Sequence, residues 1–268
     1  MSAIERAGLR FDGCVLEATG ITVRFGGLTA LSGASLTAHP RRVTSLIGPN
    51  GAGKTTMFNC LTGLVAPDEG VVALGGRDLS ELSPDRRARL GLARTFQRLE
   101  LFGALTVAGN LQVALESRRP GSLLRSTFSV RRRTDPDDAA RVEQTLEALG
   151  IADLAQEQAG SLPTGLARLV ELGRALCTQP AALLIDEGAS GLDAAETARL
   201  MEVLSGLAGA GLTVLLVEHD VELVMALSSH IYVLDFGQMI DDGTPEQIVR
   251  STVVREAYLG TVGKGSSL

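Results

Sequence analysis

Two short stretches carry residue types whose spacing suits phosphate chemistry. Gly48-Pro49-Asn50-Gly51-Ala52-Gly53-Lys54-Thr55-Thr56 fits G-x-x-x-x-G-K-[ST], a loop whose backbone N–H groups cradle an oligophosphate. In such a loop Lys54 reaches the outer phosphates and the Thr55 hydroxyl ligates Mg²⁺. The second stretch is Asp186-Glu187, two carboxylates directly after the apolar run Ala181 to Ile185. Near the Mg²⁺ that Thr55 would hold, Asp186 would hold the metal, commonly through water, and Glu187 would polarise the attacking water. Away from a triphosphate the same pair reads as two solvated acids. His219, in Glu218-His219-Asp220, is open between a satisfied polar residue and a γ-phosphate contact. Gln97 is ordinary surface unless its strand end points at the phosphates.

The elements that must position these groups are legible from periodicity. Val43 to Ile47 reads as a buried strand, and from Lys54 onward Met57, Phe58, Leu61 and Leu64 recur at helical spacing. Strand, glycine loop and helix thus come in the order a phosphate loop requires. Ala181 to Ile185 suits a strand buried on both faces, and Thr213 to Val217 is a second strand, ending before His219. In open parallel sheets ligands sit at the carboxyl ends of strands, where both polar clusters fall. Val15 to Phe25 and Ala34 to Ala38 read as strands, as do Val71 to Leu74 and Leu92 to Gln97. Phe25 is either a core-facing strand residue, alternating with Ile21 and Val23, or a platform on which adenine stacks. Helices are expected over Leu82 to Arg89 with Ser83 as N-cap, over Asp138 to Leu149, Ala167 to Cys177 and Ala194 to Ala208, and over Val253 to Leu259. Thr244-Pro245-Glu246-Gln247 is a further helix start. The helical pattern between Leu99 and Gly160 interrupts an α/β alternation and suggests an inserted subdomain.

Within that insert Arg118, Arg119, Arg125, Arg131, Arg132 and Arg133 form either a solvated loop or a contact with anionic headgroups or a membrane-side partner. The 268 residues suit one large α/β domain, and 45% apolar residues suffice for a two-sided core. Apolar runs of about five residues fall far short of the ~18–20 a membrane span needs. No apolar h-region opens the chain, so no secretory signal is expected. Cys14, Cys60 and Cys177 form no C-x-x-C pair, suit a reducing cytosol and read as core fillers. A net charge of −6 argues against a general nucleic-acid partner. Asp235-Phe236-Gly237 matches a kinase magnesium motif in letters only, because the catalytic loop and lysine strand of kinases are missing.

Together the pieces resemble the nucleotide-binding subunit of ATP-binding cassette (ABC) transporters, from about Val15 to Gly260. Phe25 matches the adenine-stacking aromatic, Gly48 to Thr55 the Walker A loop and Gln97 the Q-loop glutamine. Leu162 to Leu166 matches the signature motif, Leu183 to Glu187 Walker B, Gly191-Leu192-Asp193 the D-loop and His219 the switch histidine. The subgroup most similar is the ATP-binding subunit of branched-chain amino-acid importers. That likeness rests on Arg94-Thr95-Phe96-Gln97, Leu101-Phe102, Leu105-Thr106-Val107, Asn110-Leu111, Glu218-His219-Asp220, Gly243 to Glu246 and Ala257 to Gly260. Urea and amide importers use similar subunits. Lipid-export cassettes are near in mechanism, and soluble cassette proteins are the more distant alternative.

The resemblance implies an α/β phosphate-loop core with a mostly parallel sheet, an N-terminal antiparallel β-subdomain and an inserted helical subdomain. It implies one ATPase domain over residues 14–260: core 14–97 and 178–240, helical part about 98–177, C-terminal helices 244–260, and a flexible tail 261–268. It further implies ATP and Mg²⁺, the metal held by Thr55, Gln97 and Asp186, with Glu187, His219, Gln97 and Lys54 as catalytic groups. The expected assembly is a head-to-tail dimer with an identical or paralogous cassette. In it Leu162, Thr164, Gly165 and Asp193 of one chain complete the other's ATP site. Integral membrane permease subunits and, indirectly, a solute-binding protein are the further partners, at the cytoplasmic face of the membrane. Two departures stand out. The usual Leu-Ser-Gly-Gly-Gln is Leu162-Pro163-Thr164-Gly165-Leu166, so the serine is proline, and the proline common after Walker B is Gly188.

Overall fold

A computed structural model describes residues 3–95, 100–117 and 135–262. Gln97, the arginines from Arg118 to Arg133 and the tail from residue 263 lie outside the described residues. The strands among them are β1 (Leu16–Phe25), β2 (Leu28–Ala38), β3 (Val43–Ile47), β4 (Glu69–Leu74), β5 (Arg77–Asp78), β6 (Leu92–Arg94), β7 (Ala182–Asp186), β8 (Thr213–Val217), β9 (His230–Asp235) and β10 (Gln238–Gly243). They form two sheets. One is antiparallel with order β2-β1-β4-β5, and the other has order β10-β9-β3-β8-β7-β6. In the second sheet β9, β3, β8, β7 and β6 are parallel, with β10 antiparallel at one edge.

Every residue of β3, β7 and β8 is buried, because both faces of this sheet are covered. Alternation along the strands divides their side chains between two cores. Leu183, Ile185, Val214 and Leu216 join a core with Leu111, Leu146, Leu172 and Leu204 from the helices. Leu184, Leu215, Val217 and Leu46 join another with Leu16, Ile21, Met57, Phe58 and Leu61, from the antiparallel sheet and the phosphate-loop helix Lys54–Thr62. The antiparallel sheet and the helical part therefore sit on opposite faces of the parallel sheet. A third, smaller core packs Ile248 and Val254 of the C-terminal helices Pro245–Arg250 and Thr252–Val262 against Ile47, Ile231 and Val233.

Local chemistry explains most boundaries. Asp135, Asp193 and Asp220 cap the helices Pro136–Ala148, Ala194–Gly209 and Val221–Leu227 through side-chain bonds to backbone N–H groups. Thr244 and Gln247 form the expected capping box. Ser83 stands at the N-cap of Pro84–Arg89, but its hydroxyl bonds the Asp85 carboxylate rather than a backbone N–H. Strand β6 stops at Arg94, sooner than Gln97. The helix expected from Ala167 starts at Thr164, with Pro163 in extended conformation as its N-cap. Fully buried Asn110 explains the Leu101-to-Leu111 stretch. On the helix Val107–Ser117, its amide accepts from the Phe102 N–H and donates to the Phe102 and Thr106 carbonyls. Residues before 14 also contribute: Ile4, Leu9 and Phe11 are buried, and the Phe11 N–H bonds the Ala210 carbonyl. The final helix runs past Gly260 to Val262.

Candidate nucleotide site

Strand order decides which loops meet. β8 lies between β3 and β7, and Val217 is level with both Leu46 and Asp186. The loop after β3, the Asp186-Glu187 pair and the Glu218-His219 pair therefore emerge side by side at one carboxyl edge. The sequence placed each at a strand end, and the pairing makes them neighbours.

The phosphate loop is built from backbone. Gly237 N–H donates to the Ala52 carbonyl at 2.9 Å, and Ser32 N–H donates to Gly237 at 2.8 Å, so the β9–β10 turn clamps the loop against β2. A Cβ on Gly48 would lie 2.0 Å from the Leu234 carbonyl oxygen, so no larger residue fits there. Lys54 is buried, and its ammonium donates to the carbonyls of Gly48 at 2.7 Å and Pro49 at 2.9 Å. Burial lowers its pKa, while the charges of Glu187 and Asp186 oppose that shift. Helix Lys54–Thr62 begins at Gly53 without a side-chain cap or an acid in its first turn. Its first N–H groups and positive end thus remain available to an anion. Gly51 and Thr55 are exposed, Pro49 and Thr56 partly so. Tyr258 reaches this loop from the C-terminal helix: burial pushes its phenol up to about 12, against a backbone hydrogen bond from Gly48.

Across the edge, Asp186 is buried and its Oδ2 is 2.7 Å from an Arg94 nitrogen. The other terminal nitrogen of Arg94 donates to Asn59 Oδ1 at 2.8 Å. Glu187 follows with a φ of 52°, an uncommon conformation for a residue other than glycine. Its N–H bonds the Val217 carbonyl at 2.9 Å, and its carboxylate meets His219 Nε2 at 2.9 Å. Both side chains keep solvent contact, 22% for Glu187 and 46% for His219. Glu218 is buried and accepts from the Ala189 N–H at 2.8 Å, tying the end of β8 to the loop after Glu187. Burial raises the Glu218 pKa, against the hydrogen bonds from Ala189 and His219.

Phe25 is not a core residue. Irregular register after Ile21 and Val23 leaves those two buried and Phe25 51% exposed, opposite Leu28 at the β1–β2 tip. The signature stretch lies against a different element. Gly165 is buried, and a Cβ there would meet Glu196 Oε1 at 2.1 Å. Glu196 in turn accepts from the Asp193 N–H, and the Asp193 carboxylate accepts from the N–H groups of Ala195 and Glu196. Leu162 packs at the edge of the helical core, whereas Pro163 and Thr164 are exposed. Residue types and spacing did not single out Arg94, Glu218, Glu196 and Tyr258 as supports of the site. Only spatial pairing reveals them, because each partner is distant in sequence or lies on another element.

The oxygen donors fit Mg²⁺. No cluster of three or more His, Cys, Asp or Glu side chains suited to a metal occurs among the described residues. One hydroxyl at Thr55 and one carboxylate at Asp186 match an ion that takes few protein oxygens and completes its shell with phosphates and water.

A family model described as ABC transporter matches residues 31–190. The chain is 41% identical over 249 residues to the high-affinity branched-chain amino acid transport ATP-binding protein BraF of Pseudomonas aeruginosa, covering 92% of this chain and 98% of that protein. It is also 41% identical over 249 residues to the protein of the same description, LivG, of Escherichia coli K12, with the same coverage. Its fold matches the crystal structure of the ADP conformation of MJ1267, an ATP-binding cassette of an ABC transporter. The TM-score is 0.81 at 30% identity, over 92% of this chain and 99% of that one.

Proposed function

The chain belongs to the ABC transporter family, and we propose that it is an ATP-hydrolysing subunit driving uptake of branched-chain or other hydrophobic amino acids through a membrane permease. The observation that carries the chemistry is the convergence of the phosphate loop, Asp186-Glu187 and His219 at one sheet edge. Likeness to BraF and LivG over nearly the whole chain supports the substrate class.

Residues Gly48 to Thr56 cradle the phosphates, and Lys54 leaves its own loop's carbonyls to pair with the outer ones. Phe25, exposed on the hairpin, offers a stacking face to adenine. Thr55 and Asp186, with Gln97, hold Mg²⁺, which when bound screens the phosphate charge. Glu187 takes the proton of the attacking water as the bond to the γ-phosphorus forms and the β–γ bridge breaks. His219 orients that carboxylate through their 2.9 Å contact. Leu162, Thr164, Gly165 and Asp193 of a second cassette, identical or paralogous, close the site in a head-to-tail dimer. The Gly165 N–H supplies positive charge toward the γ-phosphate.

Residues 14–97 and 178–240 form the catalytic core in this reading, and the helical part 98–177 transmits closure to the permease. A groove of about 640 Å³ between them, lined by Leu64, Pro84, Ala88, Phe102, Ala114 and Arg174 among others, suits a permease segment. No helix among the described residues is long and apolar enough to cross a membrane. In this reading the subunit sits at the cytoplasmic face through its permease, and the solute-binding protein acts on it only indirectly. Co-purification with the permease, followed by ATPase assays with candidate solutes, tests the proposal. Stimulation by leucine, isoleucine or valine with the binding protein is expected. Stimulation by urea or amides alone would overturn the substrate class, and failure to join any multi-spanning partner would overturn the transport role.

A further inference from the structure

Arg94 is the last residue of the short edge strand β6, yet its side chain is only 11% exposed. Burying a guanidinium costs free energy unless its donors are matched, so its partners are informative. One terminal nitrogen holds Asp186 Oδ2 at 2.7 Å and the other holds Asn59 Oδ1 at 2.8 Å, with the guanidinium carbon 5.8 Å from the centre of the Phe58 ring. Asn59 lies four residues after Thr55 on the phosphate-loop helix, and residues so spaced share a helix face. A single planar group therefore ties the Asp186 carboxylate to the helix face that carries the Thr55 hydroxyl. Arginine suits this task because its fork presents donors in fixed directions, which a lysine ammonium does not.

We propose that Arg94 is a positioning residue that sets the Asp186 carboxylate and the Thr55-bearing helix at the spacing Mg²⁺ requires. The inference rests on the reading of Asp186 as a metal-holding residue. With Oδ2 held by Arg94, the rotation of the carboxylate is fixed and its other oxygen is presented to the metal or to metal-bound water. Asn59 acts only through Arg94, by holding the guanidinium from the opposite side.

The test uses the full chain with ADP. Mn²⁺ affinity is read by electron paramagnetic resonance, and metal-free affinity is read with a fluorescent ADP analogue in chelator. Arg94→Met is expected to weaken Mn²⁺ binding by about 10-fold, the lower range for lost partners of metal ligands, with metal-free ADP affinity changed by less than about twofold. Arg94→Lys should recover part of the loss, and Asn59→Ala should give a smaller weakening of roughly threefold. Unchanged Mn²⁺ affinity in Arg94→Met would overturn the inference, as would an equal loss of metal-free ADP binding. Tighter Mn²⁺ binding would also overturn it, by making Arg94 a competitor for Asp186. Asn59→Ala, which leaves the ion pair in place, keeps the test decisive should Arg94→Met fail to fold: unaltered Mn²⁺ affinity there counts against the clamp. Asp186→Asn separates the two claims. If it leaves Mn²⁺ affinity intact, the reading of Asp186 fails and takes the inference with it. If it alone abolishes Mn²⁺ binding, only the role of Arg94 falls.

Discussion

Around the phosphate loop, backbone holds backbone. Gly237 N–H grips the Ala52 carbonyl, and the Leu234 carbonyl stands where a Gly48 side chain would begin. Around the signature stretch a side chain does the holding: the Glu196 carboxylate fills the space beside Gly165 and accepts from the Asp193 N–H. A carbonyl fixed within a strand cannot rotate away, whereas a glutamate can change rotamer. The first region therefore demands its glycines, and the second has some slack. The signature departures at Pro163 and Thr164 fall on the slacker side, whereas the other departure, Gly188, is buried beside Ile185. Pro163 and Thr164 are exposed and meet no such backbone wall, while the buried Gly165 is retained.

Glu187→Gln should break the phosphate-loop side most severely. ATP binding is expected to survive while turnover drops by roughly 10²–10⁴-fold, the usual range for a lost general base. Single-turnover hydrolysis at the normal rate would remove Glu187 from its role. Lys54→Ala comes next, with ATP affinity reduced by roughly 10²-fold, since a charge-assisted bond contributes about 1.5–3 kcal/mol. Equilibrium binding of a fluorescent ATP analogue measures this, and wild-type affinity would sink the phosphate-loop assignment.

On the signature side, Gly165→Ala must displace Glu196 and disturb the Asp193 cap. A loss of about 1–3 kcal/mol in unfolding free energy is expected, as for other overpacked sites. The sharper measurement is the double variant with Glu196→Ala, which should recover part of that loss because the two positions are coupled. Strict additivity would show that the contact is incidental. Phe25→Ala is the mildest change. Removing one stacking face should cost about 0.5–1.5 kcal/mol of ATP binding, roughly a 2- to 10-fold rise in KM with kcat nearly unchanged. An unaltered KM would leave Phe25 a bystander on the hairpin.

Much of the site is legible in the amino-acid sequence because it obeys local rules. A buried strand, a glycine loop and a helix in that order demand Gly48 to Thr55 in one conformation. An all-apolar run ending in Asp186-Glu187 suits a buried strand that presents those acids at its carboxyl end. The capping box at Thr244 and Gln247 is read from four consecutive residues for the same reason. Periodicity left Phe25 open between core and exposed platform, and irregular pairing between β1 and β2 turned it outward. Periodicity also hid that the Asp193 carboxylate caps its own helix.

Residue types and their spacing propose the chemistry, namely which residues could cradle phosphate, hold a hard cation and take a proton, and that each follows a strand. They do so because residue type and short-range spacing fix backbone conformation locally. The fold sets β8 between β3 and β7, which makes neighbours of three separate strand ends. It alone brought Arg94 to Asp186 across 92 residues and His219 to Glu187 across 32. Strand order and buried ion pairs arise from the packing of both sheet faces, a long-range balance that periodicity within a single segment does not encode.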